Sequence, residues 1–194
     1  LTPATFAVIA VIKTEEGKKM DMNLRNNNSQ TEKYYMDTVI HKTAHYFTVP
    51  MIGAAIIAER EDLIDSLIEF GMNLGPAFQI TDDLLDLTEG KVRNEIGRDI
   101  KEGKRSMPVV HCLSKCNGSE KEKLISILNK SPEGTTDDDV IYVKSLFEKY
   151  GSVDYAMKVA GDFTSKAKSI ADAMPPKLRD ILHFFADYAI QRRK

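Results

Sequence analysis

The sequence predicts an all-α chain. Apolar residues recur at the three- and four-residue spacing of amphipathic helices along most of its 194 residues. No stretch alternates apolar and polar positions as a half-buried strand would, and no internal repeat is present. Gly, Pro and Asn clusters punctuate the helical stretches. The length suits one domain, residues 1–194, with enough chain to bury a real core.

In chain order, residues 4–12 are apolar on nearly all sides, which predicts a buried helix started by Thr2 or Pro3. Thr14-Glu15-Glu16-Gly17 is expected to break it, and Gly17 to open the next segment. Residues 23–30, with three consecutive Asn, read as a polar loop. Thr31 is placed as an N-cap. From there Tyr35, Val39, Ile40, Ala44 and Phe47 keep helical spacing until Pro50, which is expected to interrupt the helix. Gly53, Ala54, Ala55 and Ala58 form a small-residue packing surface. Residues 61–87 read as one long amphipathic helix; Gly71 and Gly75, each costing about 1 kcal/mol against Ala, signal close packing or a kink.

Residues 88–108 are charged and Gly-punctuated. Helices follow over 109–113 and 121–128, then a turn-rich loop over 131–139 that ends in an exposed acidic run. Residues 140–150 and 153–173 form two helices joined at Gly151. Pro175-Pro176 starts a last helix over 177–190, with Leu178, Ile181, Leu182, Phe185 and Ala189 on one face, before the tail Gln191-Arg192-Arg193-Lys194.

Composition excludes several classes. With 27 Lys and Arg against 29 Asp and Glu, the net charge of −2 argues against a general nucleic-acid or membrane-surface protein. No apolar run approaches the roughly 18 residues of an integral membrane span. Cys112 and Cys116 are the only cysteines; they lack zinc-site partners and read as packing thiols in a reducing, cytoplasmic setting. His41 and His45 stand at i and i+4 without a third ligand and read as ordinary helix histidines. The eight Met residues read as core filler. The chain opens Leu1-Thr2-Pro3 and reads as though it begins partway through a protein.

Chemistry concentrates in Phe78-Gln79-Ile80-Thr81-Asp82-Asp83-Leu84-Leu85-Asp86. Helical geometry sets Asp82 and Asp86 side by side, either as an ordinary acidic helix face or as a like-charge arrangement that expects a cation. Carboxylate oxygens are hard ligands suited to Mg²⁺, which takes one or two of them and completes its shell with water and phosphate. Lys42, Arg98, Lys104, Arg105 and the basic tail add the cations a diphosphate needs. Apolar helices around them suit a hydrocarbon tail.

These motifs resemble those of the trans-isoprenyl diphosphate synthases. The stretch 78–86 looks like that family's FQxxDDxxD, its second aspartate-rich motif. Lys42-Thr43-Ala44 matches its KTA element, Gly53-Ala54 its GA, and Leu74-Gly75-Pro76-Ala77 its LGxAF lead-in. Gly97-Arg98-Asp99-Ile100-Lys101-Glu102-Gly103-Lys104-Arg105-Ser106-Met107-Pro108 is similar to its GxDxxEGKxTxP loop. The resemblance spans almost the whole chain, in family order. It implies an orthogonal helical bundle, a homodimer, and a Mg²⁺-dependent prenyltransferase. Such an enzyme condenses isopentenyl diphosphate with an allylic diphosphate (dimethylallyl, geranyl or farnesyl) to a longer linear isoprenyl diphosphate.

The resemblance assigns Asp82, Asp83 and Asp86 to the metal, and Lys42 and Lys104 to the allylic diphosphate, with Arg98 as a further cation. Thr43 and Gln79 are expected to set dipoles near the allylic cation, and Phe78 to line the isopentenyl site. Asp21 gives support behind the site, and Arg192 and Arg193 close over it. Two departures stand out. Lys18 occupies the Gln of the family's GQxxD, and the first aspartate-rich motif of the family is not in this sequence, which reads as a C-terminal portion. The alternatives are a non-catalytic regulatory subunit of a heteromeric synthase and, less favoured by FQxxDD and Lys104, a class I terpene cyclase.

Overall fold

The computed structural model describes residues 3–24, 31–88 and 96–191, and every regular element among them is helical. In order these are α1 (Pro3–Leu24), α2 (Glu32–Val39), a π-helical turn (Ile40–Ala44), α3 (His45–Ile57) and a 3₁₀ turn (Glu61–Leu63). Then come α4 (Ile64–Leu85), α5 (Arg98–Lys101), α6 (Met107–Lys115), α7 (Gly118–Leu128) and a second 3₁₀ turn (Pro132–Gly134). The last are α8 (Asp137–Lys149), α9 (Ser152–Asp172) and α10 (Pro176–Gln191). The expected all-α class is what the chain adopts. Residues 25–30 of the expected polar loop, residues 89–95, and Arg192 and Arg193 lie outside the described residues. No described helix is long and apolar enough to cross a membrane.

The chain gathers into two compact units: residues 1–20, 36–79 and 159–192 in the first, and 21–35, 80–158 and 193–194 in the second. The first has a core of Ala55, Leu67, Phe70 and Leu74 with Ala167, Ala171, Met174, Leu182, Ala186 and Ala189. On α10 the buried stripe is therefore Leu182, Ala186 and Ala189. The larger Ile181 and Phe185, expected on that face, are 52% and 50% exposed. Small alanines let the helices approach where bulkier residues would hold them apart.

Four expectations in this unit fail. Gly17 does not break α1, which runs unbroken through it. Thr14 Oγ1 donates to the Ala10 carbonyl inside the helix, and Lys13–Glu16 and Lys18–Glu15 pairs brace its surface. The segment is also not buried all round, since Val8, Val11 and Ile12 are exposed. Pro50 does not interrupt α3: it is exposed, and the helix continues to Ile57. A Cβ on Gly53 would meet no heavy atom of another segment within 4 Å, so the close approaches come at other glycines. The true end of α3 carries no Gly signal. Arg60 N–H donates to the Ala55 carbonyl at 2.8 Å while Glu59 takes the left-handed position at φ 55°.

The second unit is built on Ile100, Val109, Cys112, Leu113, Cys116, Leu124, Ile127, Leu128, Val143, Leu146 and Phe147. Full burial of each large aliphatic side chain contributes roughly 1.5–3 kcal/mol. Cys112 and Cys116 are packing residues, as expected; burial, with Cys116 alongside, pushes the Cys112 thiol up to about 12. The acidic run at 137–139 is not a loop but the first turn of α8. Thr136 Oγ1 accepts from Asp139 N–H while Asp139 accepts from Thr136 N–H, a capping box that puts carboxylates at the positive end of the helix. Gly151, at φ 62°, turns the chain from α8 into α9.

His111 is buried here, its ring stacked on Tyr155 at 4.1 Å and its Nδ1 in a 3.1 Å hydrogen bond with the Ser152 hydroxyl. Burial, then the Lys115 charge, hold its pKa below the ordinary histidine value, with Glu32 opposing. The unfolded chain therefore binds the proton more readily, so the stability tied to neutral His111 is present above the unfolded pKa of about 6.5 and lost as pH falls below it. The urea midpoint is expected to fall between pH 7.5 and 5.5 by more in the wild type than in His111→Gln. Equal falls would show that His111 does not carry the acid sensitivity.

Candidate active site

In the second unit the end of α4 presents the aspartates. Asp82 is half-exposed, whereas Asp83 and Asp86 are 6% and 1% exposed. Asp83 Oδ2 accepts from the Tyr35 hydroxyl at 2.7 Å and from Met107 N–H, the first residue of α6, at 3.3 Å. Asp86 Oδ2 accepts from Asp99 N–H at 2.7 Å, and the Asp86 carbonyl accepts from Gly97 N–H at 2.8 Å. The two buried carboxylates thus anchor α2, α5 and the start of α6. Hydrogen bonds of this kind to an ionised group are worth about 1.5–3 kcal/mol each.

The loop 96–107 is shaped by two glycines in the left-handed region, Gly97 at φ 74° and Gly103 at φ 65°. A Cβ on Gly103 would lie 2.3 Å from the Leu128 carbonyl oxygen, so the loop lies flat on the end of α7. Lys104 Nζ donates to Asp99 Oδ1, and Lys104 N–H to the Asp99 carbonyl at 2.9 Å. Arg98 Nε donates to Glu102 Oε1 at 2.6 Å across one helical turn. Arg105, grouped by its charge with the diphosphate-binding cations, does something else. It is 2% exposed and donates to the carbonyls of Gly103 and Leu128 and to Asn129 Oδ1, fastening the loop to α7.

Electrostatics follow from this burial. Burial, then the Asp83 charge and hydrogen bond, raise the Tyr35 phenol well above its ordinary value, with Asp21 and Asp99 adding to the shift; it stays a donor. Burial pulls the Lys104 ammonium down, but the Asp99 hydrogen bond and charge, with Asp83 and Glu102 beyond, more than offset this and raise its pKa. Tyr35 and Asp99 are the residues that reading by motif passed over. Asp99 was legible as a carboxylate five positions before Lys104 inside a Gly-bounded turn. Tyr35 lies 48 residues from Asp83, and no local signal links them.

In the first unit Lys42 and Thr43 sit on the π-helical turn, closed by His45 N–H donating to the Ile40 carbonyl. Such turns insert one extra residue and recur at functional sites. Two glycines grip it. A Cβ on Gly17 would lie 2.2 Å from Lys42 N, and one on Gly75 would lie 2.5 Å from Ala44 Cα. Thr43 Oγ1 donates to Gln79 Oε1 at 3.1 Å. The Phe78 ring meets Phe47 at 5.1 Å, and Phe47 in turn lines an apolar cleft of about 640 Å³ with Met51, Leu67, Phe70 and Leu178. Lys18 is exposed and paired with Glu15 at 2.6 Å, a solvated charge on the helix surface. His41 Nδ1 donates to the Asp37 carbonyl at 2.8 Å, an ordinary helix contact.

Among the described residues no three His, Cys, Asp or Glu side chains converge into an all-protein metal cage. The donor set at the end of α4 is oxygen only, and Asp83 and Asp86 each hold protein N–H or O–H groups as well. That pattern fits Mg²⁺ held by one or two carboxylates, the rest of its shell coming from water and phosphate. It does not fit a structural zinc.

The chain is all-helical, with carboxylates at the end of a long helix followed by a cation-bearing loop, and it shares the all-α isoprenoid synthase fold of its solved neighbours. The solved geranylgeranyl pyrophosphate synthetase of Pyrococcus horikoshii superposes with a TM-score of 0.86 at 30% identity, over 98% of this chain and 58% of that one. A decaprenyl diphosphate synthase from Rhodobacter capsulatus gives 0.89 at 27% identity, over 99% and 60%. The Polyprenyl synthetase family model matches residues 4–145, and the chain belongs to that family. A short chain isoprenyl diphosphate synthase of Methanothermobacter thermautotrophicus is 32% identical over 189 residues, 95% of this chain and 57% of the relative. A geranylgeranyl diphosphate synthase of Sulfolobus acidocaldarius is 32% identical over 193 residues, with the same coverage. The chain spans somewhat over half the length of these relatives.

Proposed function

We propose that residues 1–194 act as one domain in a Mg²⁺-dependent trans-prenyltransferase. It condenses isopentenyl diphosphate with an allylic diphosphate to a longer linear isoprenyl diphosphate, as a cytoplasmic homodimer. The observation that supports this best is the end of α4, where Asp83 and Asp86 are held in place and Lys104 is fixed beside them through Asp99. Asp82, Asp83 and Asp86 would hold Mg²⁺, which would supply positive charge to neutralise a diphosphate leaving group. Lys104 and Lys42 donate to the diphosphate oxygens, and Arg98 adds a further cation. Thr43 and Gln79, aligned by their own hydrogen bond, turn oxygen dipoles toward positive charge on the allylic carbon. Phe78 contributes an apolar wall for isopentenyl diphosphate, Asp21 supports from behind, and Arg192 and Arg193 neutralise its diphosphate.

The test is diphosphate release and product chain length with Mg²⁺, isopentenyl diphosphate and each of dimethylallyl, geranyl and farnesyl diphosphate. Turnover with at least one allylic partner, abolished by chelation, is the expected result. No turnover alone, but altered product length when a complete synthase is added, would replace this reading with that of a regulatory subunit. Release of diphosphate without isopentenyl diphosphate, giving a cyclic hydrocarbon, would point to a cyclase.

A further inference from the structure

Asp99 has been given no role toward metal or diphosphate, yet it touches a residue from each group. Its N–H donates to Asp86 Oδ2 at 2.7 Å. Its Oδ1 accepts from Lys104 Nζ, and its carbonyl from Lys104 N–H at 2.9 Å. The residue is 5% exposed, and its Oδ2 is buried with no hydrogen-bond donor among the described residues. Burying a carboxylate with one oxygen unserved is costly. A fold-stabilising role needs only an acceptor at that point, which a neutral side chain supplies more cheaply. Keeping a full charge there matters when its partner is a cation that must be held in one place.

We propose that Asp99 is the positioning residue for Lys104: it fixes the ammonium before ligand arrives and, through its own N–H, ties that place to Asp86. The inference rests on the reading of Asp86 and Lys104 as parts of a diphosphate site. A free lysine loses rotamer entropy when a ligand immobilises it. An ammonium has three N–H groups. One committed to Asp99 orients the others. The elevated Lys104 pKa agrees with this pairing.

A double-mutant cycle on the affinity for Mg²⁺-pyrophosphate, measured by calorimetry, tests it. Lys104→Ala is expected to weaken binding by about tenfold or more, and Asp99→Asn by roughly tenfold when Lys104 is present. In the Lys104→Ala background, Asp99→Asn is expected to change affinity by less than about twofold, or to tighten it slightly by removing a negative charge. Equal weakening in both backgrounds would mean a general structural role and would overturn the proposal, as would no effect in the Lys104 background. Wild-type affinity in Lys104→Ala itself would sink the diphosphate reading, and this inference with it. Should thermal melts show that Asp99→Asn does not fold, Asp99→Glu takes its place. It keeps the charge, displaces it by one methylene, and carries the same expectation of an effect confined to the Lys104 background.

Discussion

Gly17→Ala is expected to lower the thermal midpoint by roughly 2–12 °C, with Gly75→Ala close behind. A new Cβ at Gly17 would stand 2.2 Å from Lys42 N and 2.6 Å from its Cα, and one at Gly75 would stand 2.5 Å from Ala44 Cα. These are backbone atoms, which cannot rotate away, so whole helices must separate. Overpacking of this kind costs about 1–3 kcal/mol, and for a chain this long each kcal/mol moves the midpoint by about 2–4 °C. Gly53→Ala is the control. Its Cβ would meet nothing within 4 Å, and replacing Gly by Ala inside a helix is worth about 0.5–1 kcal/mol of added stability. Opposite signs at Gly17 and Gly53, read in one set of melting curves, would establish that the π-helical turn is gripped. A neutral Gly17→Ala would refute it.

Asp83→Ala should be the most damaging change among the three aspartates to the fold itself. It leaves the buried Tyr35 hydroxyl and the Met107 N–H without their acceptor. Each stranded donor costs about 1–3 kcal/mol, giving a loss of about 2–6 kcal/mol in all. Asp82→Ala, at a half-exposed position, is expected to shift stability by less than about 1 kcal/mol while weakening Mg²⁺-pyrophosphate by about tenfold or more. Urea denaturation and calorimetry on the same two variants separate the effects. Equal destabilisation would mean that the aspartates share one structural role, and an unchanged affinity in Asp82→Ala would remove it from the metal set.

The helical class, the long acidic-ended helix, the N-cap at Thr31 and the thiols in the core could all be read along the chain. Each depends on residues close in sequence: apolar spacing, a hydroxyl oxygen accepting from the N–H three residues on (Tyr34 N–H to Thr31 Oγ1, 3.3 Å), or i,i+4 neighbours. The motifs at 42–44, 78–86 and 97–108 also marked the family correctly, because they are contiguous strings. Local rules failed where a strong breaker met a tertiary contact. Gly17 was read as a stop, although it is Gly because a backbone passes over it. Pro50 is no stop: it is exposed on a helix that runs on to Ile57.

Charge placement, helical periodicity and the family motifs were thus legible in the string. What each charge does depends on contacts made across the fold. Arg98, Lys104 and Arg105 look alike in a string, but Arg98 pairs with Glu102 at the surface, Lys104 rests on Asp99, and Arg105 is buried against the end of α7. Asp83 likewise owes its setting to a tyrosine 48 residues away. The physical reason is range: helix propensity and capping act within about four residues. The burial and hydrogen-bond partners that fix the role of a charged group come from whichever segments folding brings beside it.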